Sequence, residues 1–308
     1  MLDLVNVTKR YDAITAVDSL SLRIEPGGVF GLLGPNGAGK TTTIRMIMGV
    51  IEPDEGGVRI FGEPFRERHK DLIGYLPEER GMYRKMKILE HLVFLGEIKG
   101  LSAGVARERA RKWLDRLDLG AWADKTVESL SKGMQQKVQF IATVLHEPKL
   151  ILLDEPFTGL DPINAQVLKD IIEELQAAGR TVVLSTHLME QVEKLCKRIC
   201  LIHKGKKVLE GALADIKMSF GRNVVTIRFS GDKAHLERHA SVERVRAFGQ
   251  ELTVTLAAGT DTNSFLAYAL SGGRVEKFEI GEVSLHDIFI SKVKEEGGEV
   301  IDEAIQGR

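Results

Sequence analysis

Aromatic residues make up only 6% of the 308-residue chain, and it has just two cysteines. So few rings disfavour a surface that works by stacking nucleobases. Cys196 and Cys200 cannot build a disulfide framework, and no second Cys/His pair gives zinc spacing, so both read as packing residues. No apolar run approaches the roughly 18 to 20 residues of a membrane span. The opening MLDLVNVTKRYD lacks the apolar stretch of a secretory leader. Neither charge is in excess: 43 Lys+Arg stand against 44 Asp+Glu, a net charge of -1. That balance excludes a nucleic-acid binder working by bulk positive charge, and it excludes an acidic tail. What remains is an ordinary globular composition, 43% hydrophobic and 28% charged, in a chain long enough for two cores. The expectation is a soluble intracellular protein.

The first stretch alternates and is rich in Val, Leu and Ile. LDLVNV, TAVDSLSLRI and VFGLL read as strands, and the early strands suggest an antiparallel flank. VFGLLG breaks at Gly34, and the apolar-spaced TTTIRMIMGVI follows as a helix. VRIFG and LIGYLP read as further strands, and from about Ile88 to Asp118 the pattern is helical and charged. SKGMQQKVQFIATV has helical spacing that stops before Pro148, and LILLD is a short apolar run typical of a central buried strand. Asp161 and Pro162 form an N-cap and first-turn pair for a helix to Ala178, closed by Gly179. TVVLSTH and RICLI are two more buried strands. Alternating strands and helices predict an α/β domain over residues 1–214, with a largely parallel core sheet and a helical part at about 85–148. Beyond residue 214 the order VVTIRF, KAHLERHA, VERVRAF, ELTVTLA, TNSFLAYALSG, RVEKFEI predicts a ferredoxin-like α+β domain over 215–308. That segment carries 12 basic and 15 acidic residues, about -3, so it is no nucleic-acid patch.

GPNGAGKT, comprising Gly34, Pro35, Asn36, Gly37, Ala38, Gly39, Lys40 and Thr41, fits G-x-x-x-x-G-K-[ST] between a strand and a helix. In that setting glycines let backbone N–H groups curl around phosphate oxygens, and the helix adds its positive end. Lys40 would reach the β- and γ-phosphates and Thr41 would bind Mg²⁺, with Thr42 next in the same turn. LILLDE delivers Asp154 to the carboxyl edge of a buried strand, where a second Mg²⁺ ligand is needed. Its neighbour Glu155 can act as a general base. Taken alone, two acids at a strand end could be no more than a solvated terminus; beside a phosphate loop they complete it.

With both halves in place, residues 2 to 212 resemble the ATP-binding subunit of an ABC transporter, a P-loop NTPase fold with a mixed core sheet and a helical subdomain. The family's LSGGQ signature corresponds to LSKGM at Leu130 to Met134, where Lys132 and Met134 depart from the pattern and Ser131 and Gly133 are kept. By this resemblance Ser131 and Gly133 close over the ATP of a second copy. FTGLD ending at Asp161 crosses the dimer seam, and His187 is the switch that touches the γ-phosphate and orients Glu155. Tyr11 stacks on adenine. Glu78, in LPEERGMY, stands where most members have Gln and still offers a hard oxygen to Mg²⁺. This run and the C-terminal extension resemble bacterial sodium-efflux and related ABC-2-type exporter subunits. The resemblance implies a Mg²⁺-ATPase, homodimeric, peripheral on the inner face of the membrane through a separate permease. That permease would dock beside Glu78 near Met82, Tyr83 and Met86. A pore-free soluble ATPase and a low-turnover nucleotide-binding regulator remain the alternatives.

Overall fold

The computed structural model describes residues 1–295 except 80, 221–223, 250, 258 and 282. The last part of the 215–308 assignment and Arg80 of LPEERGMY lie outside the described residues. The chain divides into two compact units, Met1–Glu210 and a second beginning at Gly211.

The first unit begins with β1 (Leu2–Tyr11), β2 (Ile14–Ile24), β3 (Gly28–Leu33), α1 (Lys40–Ile47), β4 (Glu55–Ile60), β5 (Glu63–Pro64) and β6 (Ile73–Leu76). Helices α2 (Ile88–Ile98), α3 (Ala103–Arg116) and α4 (Lys132–Val144) follow. The unit continues through β7 (Leu150–Asp154), α5 (Pro162–Ala177), β8 (Thr181–Thr186), α6 (Met189–Leu195), β9 (Arg198–His203) and β10 (Lys206–Ala212). Strands β2-β1-β4-β5 form an antiparallel sheet. The second sheet runs β10-β9-β3-β8-β7-β6, and the pairs from β9 to β6 are parallel. All five parallel strands therefore end at one edge, the edge where open α/β sheets bind ligands.

Helix α1 lies between the two sheets. Its Ile44, Met46 and Ile47 share one core with Leu4, Leu20 and Leu22 of the antiparallel sheet and Leu32, Leu152 and Val183 of the parallel sheet. Burial on two sides holds the start of α1 in place, and that start carries Lys40. Helices α4, α5 and α6 pack on the opposite face. The helical stretch expected from Ile88 to Asp118 is two helices. Gly100 turns the chain at φ 83, and the Ser102 hydroxyl caps α3 by accepting from Val105 N at 3.4 Å. Strand β10 was not expected from its charged sequence; Lys204 and Gly205, both at positive φ, form the two-residue turn that folds it back on β9.

The second unit comprises α7 (Leu213–Ser219), β11 (Val224–Gly231), α8 (Lys233–Glu237), β12 (Val242–Phe248), β13 (Glu251–Leu256), α9 (Thr262–Gly272), β14 (Gly273–Gly281) and α10 (Leu285–Glu295). Its antiparallel sheet runs β12-β13-β11-β14. This is the strand order of a split βαβ pair, as the βαββαβ pattern implies. Val225, Ile227, Val254 and Leu256 of the sheet pack on Leu236 of α8 and Phe265 and Ala269 of α9.

Helix α4 presses closely on β6. A Cβ added to Gly74 would stand 2.3 Å from the carbonyl oxygen of Thr143 and 2.9 Å from Pro148 Cγ. Backbone cannot yield as a side-chain tip can, so Gly74→Ala is expected to lower stability by about 1–3 kcal/mol. Denaturant unfolding of the two proteins side by side checks this.

Candidate functional site

The loop from Gly34 to Gly39 leaves the carboxyl end of β3 and enters α1. Gly34, Gly37 and Gly39 sit at φ 154, 76 and 105. A Cβ on Gly34 would fall 2.2 Å from the Ile202 carbonyl of β9, so only glycine fits there. Lys40 is buried, and its Nζ donates to the loop's own carbonyls, Gly34 at 2.8 Å and Pro35 at 3.2 Å. It also lies 3.7 Å from Glu155 Oε1. Burial pulls the Lys40 pKa below the usual lysine range, opposed by the charges of Glu155, Asp154 and Glu78.

The acids come from the end of β7. Asp154 is fully buried, in register with Ser185 of β8, whose hydroxyl donates to Oδ1 at 2.7 Å. Its Oδ2 is buried with no hydrogen-bond partner among the described residues. Burial raises the Asp154 pKa, and the Ser185 and Thr41 hydroxyls oppose the shift. A buried carboxylate oxygen without a donor is a costly feature in a folded chain. A hard cation would satisfy it, and Thr41 and Glu78 offer oxygens of the same ligand class.

Glu155 follows at φ 49, a left-handed backbone that carries strain in a non-glycine residue and concentrates at functional sites. The turn brings its carboxylate under the end of β8. Thr186 Oγ1 donates to Oε2 at 2.9 Å, while His187 N and Nδ1 approach Oε1 at 3.0 and 2.8 Å. A carboxylate only accepts, so Nδ1 carries the hydrogen. The Glu155 side chain is 6% exposed and that of His187 42%, so the histidine forms the outer rim.

The sequence-expected residues divide into two groups. Lys40, Thr41, Asp154, Glu155 and His187 converge at one sheet edge. Exposed Glu78, two residues past β6, is close enough for its charge to act on Lys40. Tyr11 ends β1 opposite Ile14, and the adjoining Ala16 carbonyl stands 2.4 Å from where a Cβ on Gly39 would lie, which puts this hairpin beside the loop. Ser131 and Gly133 belong to a second group. Ser131 caps α4 by accepting from Met134 N at 3.3 Å, and Gly133 faces Gly159 and Leu160. Asp161 caps α5 through Asn164 N at 2.9 Å. Among the described residues no hydrogen bond or ion pair joins Ser131 or Gly133 to the loop. Sequence reasoning missed Ser185 and Thr186 as partners of the two acids; their only signal was a pair of hydroxyl residues ending a strand before His187. Burial pushes the Cys196 and Cys200 thiols up to about 12, which makes both inert.

The raised pKa of Asp154 means that its ionised form weakens the folded chain. That penalty is absent at low pH and appears as pH rises through the carboxylate range. Asp154→Asn is therefore expected to unfold at a higher temperature than the parent at neutral pH without nucleotide. The gap should close as pH falls below the Asp154 pKa. Thermal scans at several pH values check both points, with turnover lost in the same variant.

With this geometry in hand, comparison with known proteins is informative. The family described as "ABC transporter" matches residues 17–158, and "ATP-binding protein DrrA1-3-like, C-terminal domain" matches 211–293. An uncharacterised ABC transporter ATP-binding protein of Bacillus subtilis is 44% identical over 95% of this chain and 98% of its own. The Nod factor export ATP-binding protein I of Burkholderia pseudomallei is 35% identical over 94% of this chain and 95% of its own. A solved ATP-binding subunit of an ABC transporter superposes at a TM-score of 0.67 with 32% identity, covering 71% of this chain and 93% of that one. A dimeric, post-hydrolysis ATP-binding cassette bound to ADP and Pi superposes at 0.65 with 27% identity, covering 69% and 99%. Similarity along nearly the whole length, over a fold that brings the phosphate loop and both carboxylates to one edge, leaves one assignment: the chain belongs to the ABC transporter ATP-binding proteins.

Proposed function

We propose that this ABC ATPase works as a homodimer that sandwiches two ATP molecules and drives a separate membrane permease, as an exporter. Residues 1–214 form the motor and residues 215–308 an accessory domain that regulates it or helps it pair. One observation carries most weight: the orphaned, buried Asp154 Oδ2 lies beside a lysine-bearing phosphate loop, with Glu155 next in sequence.

On this reading Gly34 to Thr42 wrap the phosphates, with Lys40 on the β- and γ-phosphates. Thr41, Asp154 and Glu78 would hold Mg²⁺. When bound, the ion would offset the negative charge of the phosphates. Glu155 accepts a proton from the attacking water, and His187 positions both carboxylate and γ-phosphate. Tyr11 supports the adenine. Ser131, Gly133 and Asp161 act on the ATP held by the second subunit. That no hydrogen bond or ion pair joins Ser131 or Gly133 to their own loop among the described residues, and the dimeric structural relative, both support this.

The motor needs a membrane partner because no described helix is long and apolar enough to cross a membrane. The expected dock lies around Met82, Tyr83 and Met86. Tyr83 is exposed there and meets Phe94 edge-on, with ring centroids 5.5 Å apart. On this reading the chain sits on the inner membrane face. The Nod factor export relative favours outward transport.

Two variants test the site. Glu155→Gln should keep ATP binding, lose at least about a hundredfold in turnover, and accumulate as an ATP-bound dimer on a sizing column. Ser131→Arg should bind ATP in calorimetry with near-parent affinity yet fail to hydrolyse it; full turnover in that variant would contradict action across the dimer.

A further inference from the structure

The last two residues of β8 both carry hydroxyls, and each serves one of the two acids: Ser185 bonds Asp154 at the end of β7, and Thr186 bonds Glu155 just beyond it. Thr186 is fully buried. Its oxygen accepts from Leu188 N at 3.1 Å, so the backbone beyond β8 fixes where that oxygen sits. Its single hydrogen goes to Glu155 Oε2 at 2.9 Å, because a carboxylate cannot donate. Oε1 is engaged by two donors from His187, and Oε2 by this one hydroxyl among the described residues. The carboxylate is thereby held against rotation at both oxygens.

Taking Glu155 as the base of the proposed ATPase, we infer that Thr186 is a positioning residue that orients this carboxylate for proton transfer from the attacking water. His187 cannot do this alone. Both of its bonds go to Oε1, about which the carboxylate would still swing. A base must stand within about 2.6–3.2 Å of the proton it takes, and small misplacement costs rate steeply. Thr186 is fully buried and spends its hydrogen on Glu155, so its loss should reduce the chemical step while leaving nucleotide binding unchanged.

The test uses the full-length protein with Thr186→Val, which keeps shape and removes the hydroxyl, and Thr186→Ser, which restores it. Expected for Thr186→Val is a kcat lower by about ten- to a hundredfold, with KM for ATP within about twofold and ATP-driven dimerisation retained. Thr186→Ser should recover kcat to within about threefold of the parent. Thr186→Val combined with Glu155→Gln should turn over no more slowly than Glu155→Gln alone, since nothing is left to orient. Parent-like kcat in Thr186→Val while Glu155→Gln is inactive would overturn the role of Thr186 and leave the base assignment standing. Failure of Thr186→Ser to rescue, or equal losses in KM and kcat, would also overturn it. Parent-like turnover in Glu155→Gln would overturn the base assignment, and with it the role given to Thr186.

Discussion

Charge taken out of water and left incompletely paired is the constraint around which this protein is built. Lys40, Asp154 and Glu155 are each nearly dry, Lys40 stands 3.7 Å from Glu155 and feels the charge of Asp154, and the set is unbalanced: one ammonium faces two carboxylates, one of which retains a buried oxygen with no hydrogen bond among the described residues. Such a cluster survives only where the surrounding scaffold cannot relax away from it. Here the scaffold is α1 between two sheets and five parallel strands ending at one edge. The stability given up at the site becomes affinity for a group that brings both the missing positive charge and the phosphates for the loop.

The second consequence is a division of labour among elements. The phosphate loop and both carboxylates come from the sheet edge, where rigidity is greatest. Ser131 and Gly133 come from the start of α4, which packs beside Gly159 and Leu160 and not beside Lys40. On the proposed reading these two residues serve the site of a second copy, each copy completing the other. The C-terminal unit has its own core and antiparallel sheet.

Local rules made much of this legible in sequence. Gly34 to Thr41 announced a phosphate loop because its chemistry depends on residues adjacent along the chain. Ser131 and Asp161 were readable as helix caps, and both accept from the N–H three residues on, since capping is a short-range bond. LILLD read as a buried strand because burial on both faces removes alternation. The ferredoxin-like order followed from period-two strands set between helices. Where the reading fell short, the deciding contact was remote or the signal weak. One helical stretch became α2 and α3 because Gly100 takes a left-handed turn and Ser102 restarts the helix. β10 forms from a charged sequence because a tight turn and a neighbouring strand impose it.

The amino-acid sequence by itself determined which chemical groups are present and which sit side by side along the chain: the loop, the paired acids, the caps, the order of strands. Tertiary structure alone decided which oxygens of those acids are satisfied. Asp154 and Glu155 lie 31 residues from the hydroxyls of Ser185 and Thr186 that bond them. Those partners meet only because β7 and β8 pair in parallel and in one register, and strand register is a property of the assembled core that no local stretch of sequence encodes.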